Sequence, residues 1–196
     1  MGLRLRKKLL PDTPYLTGQM LIAMPGMSDP RFTRSVIYIC AHGPEGAMGL
    51  VVNRVFNAVD FVELADQMGL ETDASWPHLP VFFGGPVETE RGFVLHSTDF
   101  IRDGTLVVDD EVALTATLDI LRAMGEQRGP RKGLLALGYA GWGPGQLDAE
   151  IQANGWLTAP AEPSLLFDPE VEHKWERAIA TLGIHPAMLS AEAGHA

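Results

Sequence analysis

The sequence is poor in cysteine and has no long apolar runs. Its 196 residues include one cysteine, Cys40, which excludes an internal disulfide and any metal cluster built from several thiolates. A chain without disulfides suits a reducing compartment. No apolar stretch approaches the roughly 18 residues that a membrane-spanning helix needs. In the opening segment MGLRLRKKLLPDTPYL, two prolines interrupt the apolar run that a signal peptide requires. A soluble, cytoplasmic protein with no membrane attachment is therefore expected.

Basic side chains are also scarce. The chain has 15 Lys and Arg against 25 Asp and Glu, a net charge of −10. Four of the basic residues open the chain, at Arg4, Arg6, Lys7 and Lys8. Sequence-independent affinity for nucleic acids comes from cationic contacts that release counterions from the phosphates. Direct DNA binding by the folded body is therefore disfavoured. Residues 1–14 are predicted to be a flexible basic tail, followed by a single domain over residues 15–190.

Short β-branched and aromatic runs between Gly and Pro turns indicate a series of strands. Residues 35–40 and 47–53 are predicted to pair as a hairpin across the turn HGPEG. Further strands are predicted at 19–24, 80–85, 92–97, 105–108 and 133–140, and in the short segments GWLTA and SLLF. Residues 133–140 are apolar throughout, so this strand is expected at the centre of the sheet.

Other segments have the apolar period of helices. Asp60 and Glu63 form a capping-box pattern at the start of the first. Residues 109–125 are predicted to form one long helix, and a short helix is predicted near 146–153. The last helix is predicted over 168–183, with an Asp-Pro pair at its start. Paired strands early in the chain, and strands alternating with helices later, predict one α+β domain with a mixed sheet.

The stretch GYAGWGPGQLDAEIQANGW, residues 138–156, combines glycines with aromatic side chains ahead of a predicted helix. Free backbone N–H groups at such a turn could bind an anion. However, the glycine spacing matches no nucleotide-binding motif, and Asp148 and Glu150 would place negative charge near the helix start. We therefore favour a structural corner that seats Trp142 and Trp156, whose indole N–H groups each need a partner.

Three other local patterns contain residue types found in functional sites. The segment HSTD, residues 96–99, contains the residue types of a serine triad, but triad members come from separate elements, and the chain has no G-x-S-x-G turn. Cys40 and His42 could act as nucleophile and base, although a lone cysteine closing an apolar strand is typical of a core residue. The charges in residues 82–96 form either a solvated rim or a ligand-facing loop. The six histidines show no zinc-binding spacing, so no metal site and no cofactor are predicted.

Four ordered stretches resemble the bacterial AlgH/YqgE-like family. They are LTGQMLIAMPGMSDPRFTRSVIYIC, HGPEGAMGLVVNR, FFGGPVETERGFVLH and LGYAGWGPGQLDAEIQANGWL. The resemblance covers the chain from about Leu16 to the last predicted helix. It implies a mixed, mostly antiparallel β-sheet curled toward a half-barrel, with helices packed around it, and it brings no established reaction or cofactor. One branch of the family carries a name linked to the regulation of alginate synthesis, which raises the hypothesis of a transcriptional regulator.

Polar and aromatic positions within these stretches are the candidates for a common binding cleft. They are Arg34, Ser35, His42, Asn53, Tyr139, Trp142, Gln146 and Glu150. The favoured hypothesis is a non-enzymatic module that binds a protein partner or a small ligand and has an indirect regulatory role. Two alternatives stay open. One is a hydrolase or transferase whose site uses Arg34, Ser35, His42, Asn53 and Glu150, and the other is a regulator that binds DNA directly through its basic tail.

Overall fold

The computed structural model describes residues 13–189, so nearly all of the predicted basic tail lies outside the described residues. The strands are β1 Gln19–Ala23, β2 Val36–Gly43, β3 Gly46–Val51, β4 Val55–Asp60, β5 Pro80–Phe83, β6 Val87–Ser97, β7 Thr105–Val107, β8 Val112–Thr115, β9 Gly133–Trp142 and β10 Trp156–Pro160. The helices are α1 Phe61–Gln67, α2 Leu118–Gly125, α3 Gln146–Gln152, α4 Pro163–Leu166 and α5 Lys174–Ala180, with a 3-10 turn at Pro186–Met188.

The strands form one sheet in the order β10-β1-β2-β3-β9-β6-β8-β7, and β5 joins β4 to β9. All pairings are antiparallel except the parallel pairing of β5 with β9. Strand β9 contacts β3, β5 and β6, which confirms its predicted central position. A strand that is covered on both faces needs apolar side chains on both, and five consecutive residues from Leu134 to Gly138 are buried.

The sheet curls into a half-barrel, in agreement with the expected architecture. The curl brings β2 near the turn between β7 and β8, where the Tyr38 hydroxyl donates to Asp109 Oδ2 at 3.3 Å. Helices α4 and α5 pack their apolar side chains into the cluster that contains β1, β2 and β6 residues, while α1 and α2 pack together in a second cluster. A third cluster surrounds Trp142, Leu147 and Trp156. The whole arrangement is one α+β domain.

The turn between β5 and β6 passes directly against β9. A Cβ atom added to Gly84 or Gly85 would lie less than 3.0 Å from backbone atoms of Gly138 or Tyr139. The Gly84 N–H also donates to Leu137 O at 2.8 Å. Glycine is needed on both sides of this crossing because any side chain would separate the two backbones.

Several predicted elements are confirmed. The hairpin is formed by β2 and β3. Helix α1 begins with the predicted capping box, in which Glu63 N–H donates to Asp60 Oδ1 and Asp60 N–H donates to Glu63 Oε2, both at 2.9 Å. The predicted short helix after the glycine turn is α3, Gln146–Gln152.

Three predicted elements are wrong in type or in where they begin. The single helix predicted over residues 109–125 is a strand, β8, followed by the shorter helix α2. All four residues of β8 are buried, and its two edges pair with β6 and β7, so sheet pairing outweighs the local helical period. The segment SLLF is predicted as a strand, but its first three residues lie in helix α4, which Pro163 starts. Helix α5 begins at Lys174 and not at Asp168.

Candidate functional site

The glycine-rich turn at the end of β9 leads straight into α3. Gly145 precedes the helix in the left-handed conformation, with φ at +69°, which glycine adopts without steric penalty. The Gln146 side-chain oxygen accepts the Gly143 N–H at 3.0 Å. Leu147 is buried and holds the helix against the sheet. The turn therefore orients α3 so that its inner face points toward Trp142 and Trp156.

Two indole rings and one carboxylate form the centre of this corner. Glu150 Oε2 accepts from Trp142 Nε1 at 3.0 Å and from Trp156 Nε1 at 2.8 Å. Its other oxygen accepts from Gln146 Nε2 at 3.0 Å. The rings meet edge to face, with centroids 6.1 Å apart. These four side chains are called the indole cluster below. Both indole N–H groups have a partner, as expected, and that partner is a single carboxylate that turns toward the rings.

A groove of about 640 Å³ runs beside the indole cluster. All four cluster residues line it on one side. The loop after β1 lines the other side, and there Met24, Met27 and Phe32 supply apolar surface. Asp29 and Arg31 add an exposed ion pair to the same loop, with Nη2 2.7 Å from Oδ2. This indole groove combines apolar walls with hydrogen-bonding groups, which is typical of sites for small organic ligands.

A second, more open groove of about 870 Å³ lies between the β2–β3 hairpin and strands β6 and β7. It contains two of the predicted site residues, His42 and Tyr139, and shares Trp142 with the indole groove. The His42 ring accepts the Leu16 N–H through Nδ1 at 3.0 Å, and its Nε2 lies 3.7 Å from an Asp148 oxygen. This second depression is called the edge groove below, because β7 is the last strand of the sheet.

The other three predicted residues surround the attachment of α5. The Asn53 amide accepts the Val36 N–H at 2.9 Å and donates to Arg34 O at 2.8 Å. The Arg34 guanidinium lies 4.3 Å from the centre of the Trp175 ring and is paired with a glutamate of α5, Glu176. Ser35 is buried, and among the described residues its hydroxyl has no hydrogen-bond partner.

The eight predicted site residues are therefore divided among three places. The indole groove holds Trp142, Gln146 and Glu150, the edge groove holds His42 and Tyr139, and the α5 attachment holds Arg34, Ser35 and Asn53. The constellation required by the hydrolase or transferase hypothesis is split among all three. Residue types alone could not reveal this division, because it depends on where the tertiary structure places the strands and loops that carry them.

Two local patterns considered as nucleophilic sites have structural explanations. Cys40 is buried, and desolvation raises the pKa of its thiol to about 12, which disfavours a thiolate. His96 is fully buried, and its Nε2 lies 2.8 Å from the Thr115 hydroxyl. The Ser97 hydroxyl donates to Asp99 and accepts the Lys132 N–H, so the order of contacts required by a serine triad is not formed.

Within residues 13–189, the group of side chains best placed to hold a metal ion comprises Glu170, Glu172 and His173. Their ligand atoms lie within 4.8 Å of one another, and all three side chains are exposed. Exposed acidic groups of this kind are common on protein surfaces. The cluster lies between α4 and α5, away from the residues that line either groove.

Lys174 is a buried cation that the sequence analysis missed. Its side chain is fully buried, and Nζ donates to Val52 O at 3.1 Å and Leu166 O at 3.2 Å. Burial lowers the pKa of this amine to about 8, although the nearby negative charge of Asp168 raises it in part. Lysine is rarely buried, and a lysine in a polar helix start is not distinguishable by sequence from a solvent-exposed one. Its bonds connect α4, α5 and the end of β3.

Lys174 should make the free energy of unfolding rise with pH above about 8. The folded chain releases the proton near pH 8, whereas the unfolded chain keeps it to about 10.5. Over that interval the unfolded state binds more protons, so raising the pH favours the folded state by up to roughly 3 kcal/mol. Lys174→Met should remove this rise. Urea denaturation of both proteins between pH 7.5 and 10 measures it.

The comparison needs one control, because the buried Cys40 thiol has the opposite effect. Its raised pKa keeps the proton in the folded state after the unfolded chain has lost it, so stability falls as pH rises above about 9. Both proteins should therefore carry Cys40→Ala. Equal slopes of stability against pH in the two proteins would contradict the assignment to Lys174.

No helix within residues 13–189 combines the length and the apolar character that crossing a membrane requires.

Comparison with known proteins identifies chains that are similar in sequence and in structure. A family model described as AlgH-like matches residues 20–187. A UPF0301 protein of Nitrobacter hamburgensis is 57% identical over 194 residues, covering 95% of this chain and 90% of its own length. The solution structure of AlgH from Pseudomonas aeruginosa has 43% identity and a TM-score of 0.78, with 96% of this chain and 100% of that chain covered. A Corynebacterium diphtheriae protein with 22% identity shares the fold, with a TM-score of 0.68 over 87% of this chain and 88% of its own.

Proposed function

The chain belongs to the AlgH-like family, and from that premise we propose that it is a non-enzymatic binding module whose indole groove takes a small organic ligand. The observation that carries the proposal is a groove of about 640 Å³ with one wall built from the indole cluster. A volume of this size matches the usual range of small-molecule sites. The ligand class that fits is an apolar molecule with one or two hydrogen-bonding groups.

The walls of the indole groove are held in place by internal contacts. Glu150 uses both oxygens to accept from three neighbouring side chains, and Phe32 packs edge-on against Trp156 with centroids 5.8 Å apart. A rigid wall lowers the conformational entropy that the protein loses when a ligand binds. The same bonds support a non-catalytic role, since a general acid or base needs an oxygen free to reach its substrate.

The regulatory part of the proposal is that ligand binding changes how the protein interacts with a protein partner in the cytoplasm. The net charge of −10 supports contacts with proteins or small molecules over direct contacts with DNA phosphates. This role is also in keeping with the dispersal of the polar residues considered for hydrolysis or group transfer, which leaves no shared centre for that chemistry.

Native mass spectrometry of protein purified from its native host tests the proposal. The wild-type protein should carry an additional small-molecule mass, and Ala153→Trp should lower its occupancy at least about tenfold, because Ala153 lines the indole groove. Ala149→Trp is the matched control. Ala149 is exposed on helix α3, which ends just before Ala153, and it does not line the groove. The ligand occupancy of this variant should therefore equal that of the wild type.

Two results would contradict the proposed function. One is equal occupancy in Ala153→Trp and the wild type, which would place the bound molecule elsewhere. The other is a protein that carries no small molecule, shows no shift in melting temperature with a library of amphipathic organic acids and amides, and captures no reproducible partner from its native lysate.

A further inference from the structure

The edge groove lies where the curled sheet stops short of closing. Strand β7 ends the sheet, and within the described residues its partner is β8 on one side. Val107 lines the groove on the β7 side, while His42 and Met48 of the β2–β3 hairpin line the other. The groove is therefore bounded by a terminal strand and a hairpin, with an opening of about 870 Å³ between them.

The backbone of β7 presents hydrogen-bonding groups toward this opening. The Val108 N–H donates to Val112 O at 3.0 Å, toward β8. Because successive N–H groups of a strand point to alternate sides, the Val107 N–H and C=O point away from β8. A terminal strand with outward-pointing backbone groups is a template for one more strand.

The groove also presents apolar side chains that the sheet does not cover. Leu106 is 48% exposed and Val107 is 52% exposed, and both line the groove. Phe93 and Met48 continue this apolar surface toward the core. Leu106 lies on the same face of the sheet as Phe93, because it pairs through Leu114 with Leu95. An added strand with an apolar side chain on every second residue would cover this face.

The charged residues around the groove indicate which side chains an added strand should carry between its apolar ones. Glu45 and Glu88 line it. Arg91 is the one Lys or Arg among the lining residues that the structure describes. It lies 3.6 Å from a Glu88 oxygen and 5.0 Å from the centre of the Phe93 ring, so it pairs with Glu88 within the wall. Glu45 therefore supplies the excess of negative charge on the rim, and this charge complements a basic side chain.

We propose that the edge groove binds an extended segment of a partner protein in which apolar and basic residues alternate. The segment adds to β7 as an antiparallel or parallel strand and accepts the Val107 N–H. Its apolar side chains cover Leu106 and Phe93, and a basic side chain lies beside Glu45. The site is separate from the indole groove except for the shared wall at Trp142 and its neighbours.

The probe is a fluorescent peptide that alternates leucine with arginine, measured by anisotropy with the full-length protein. The control peptide alternates leucine with glutamate. We expect the first to bind and the second to bind at least about tenfold more weakly, with an affinity for the first that falls as salt rises. In NMR spectra, the largest amide shifts should occur at Leu106, Val107 and the facing hairpin residues.

Two pairs of variants test the mode of binding. Val107→Pro removes the backbone donor, whereas Val107→Ala keeps it, so binding should weaken about tenfold more in the first. Glu45→Lys reverses a rim charge and should weaken binding severalfold. Glu71→Lys, an exposed residue outside the groove, should not. Comparing these two charge-reversal variants keeps the test informative if the proline variant does not fold.

Three outcomes would overturn the proposal. The first is equal affinity for the two peptides, and the second is equal binding by Glu45→Lys and Glu71→Lys. The third concerns the chain's own first residues, which alternate leucine and arginine in the sequence GLRLR. If Arg4→Glu with Arg6→Glu raises the affinity for the peptide, then the chain's own segment is the occupant in place of a partner.

Discussion

Replacing Gly85 with alanine should lower the free energy of unfolding by about 4 kcal/mol or more, the range reached when a substitution has no room to relax. An added Cβ would lie less than 3.0 Å from the carbonyl carbon and oxygen of Tyr139 and from the next backbone nitrogen. These are backbone atoms of β9, the strand that pairs with three others, so they cannot move without disturbing the sheet. Urea denaturation followed by circular dichroism measures the loss.

Two further substitutions at glycines separate this clash from the general effect of removing glycine. Gly43→Ala places a Cβ where nothing lies within 4 Å, so its stability should stay within about 1 kcal/mol of the wild type. Gly138→Ala should resemble Gly85→Ala, because its Cβ would clash with Gly85 O and its φ is +73°. Similar, small losses at all three positions would show that the crossing is not tightly packed.

Glu150→Leu should lower the free energy of unfolding by about 2–4 kcal/mol, because it leaves two indole N–H groups without an acceptor. Trp142 and Trp156 are 7% and 3% exposed, so water reaches their N–H groups poorly. An unsatisfied buried donor costs about 1–3 kcal/mol. Urea denaturation measures the loss, and the near-ultraviolet circular dichroism of the tryptophans should change with it.

Two matched variants show whether the carboxylate acts through these bonds. Glu150→Gln keeps one oxygen acceptor and should lose less than Glu150→Leu. Asp148→Asn removes a charge from the same helix, and its side chain is 52% exposed, so it should change stability by no more than about 0.5 kcal/mol. If Glu150→Leu is as stable as Asp148→Asn, the indole cluster does not hold the corner together.

These two results would also bear on the proposed ligand site. The indole cluster forms a wall of the groove and part of the fold, so substitutions within it change stability and binding together. Ala153→Trp was chosen for the ligand test because its exposed side chain contributes to neither the cluster nor the buried core. A loss of ligand in that variant therefore reports on the groove itself.

Elements with strong local signals were predictable from the sequence. The hairpin of β2 and β3 follows from β-branched and aromatic runs on both sides of a Gly-Pro turn. Helix α1 begins where Asp60 and Glu63 can exchange hydrogen bonds, and both bonds form. In these cases the residues that determine the structure are within a few positions of one another.

Elements whose identity depends on distant partners were predicted wrongly. Residues 112–115 fit a helical period, yet they form β8, because β6 and β7 offer backbone partners on both sides. The apolar segment SLLF fits a strand, but Pro163 starts a helix there and Leu165 and Leu166 pack beside Trp175 and Ile179. A short apolar run does not distinguish the two structures without its surroundings.

The candidate site shows the same limit. The sequence indicated that Trp142 and Trp156 need partners for their N–H groups, and that glycines would let the backbone turn beside them. It did not indicate that Glu150 serves both rings, because that contact requires α3 to fold back over the end of β9. It also grouped His42 and Arg34 with this corner, whereas His42 lines the edge groove and Arg34 lies beside Trp175 at the attachment of α5.

By itself, the amino-acid sequence determined the family, the single α+β domain, the acidic character of the chain and the position of the central strand, since each depends on composition, ordered motifs or local period. Only the tertiary structure decided which polar residues meet, which grooves exist and how a lysine comes to be buried. Those features arise where the curled sheet brings distant segments together, and contacts between distant segments leave no periodic trace in the residues that make them.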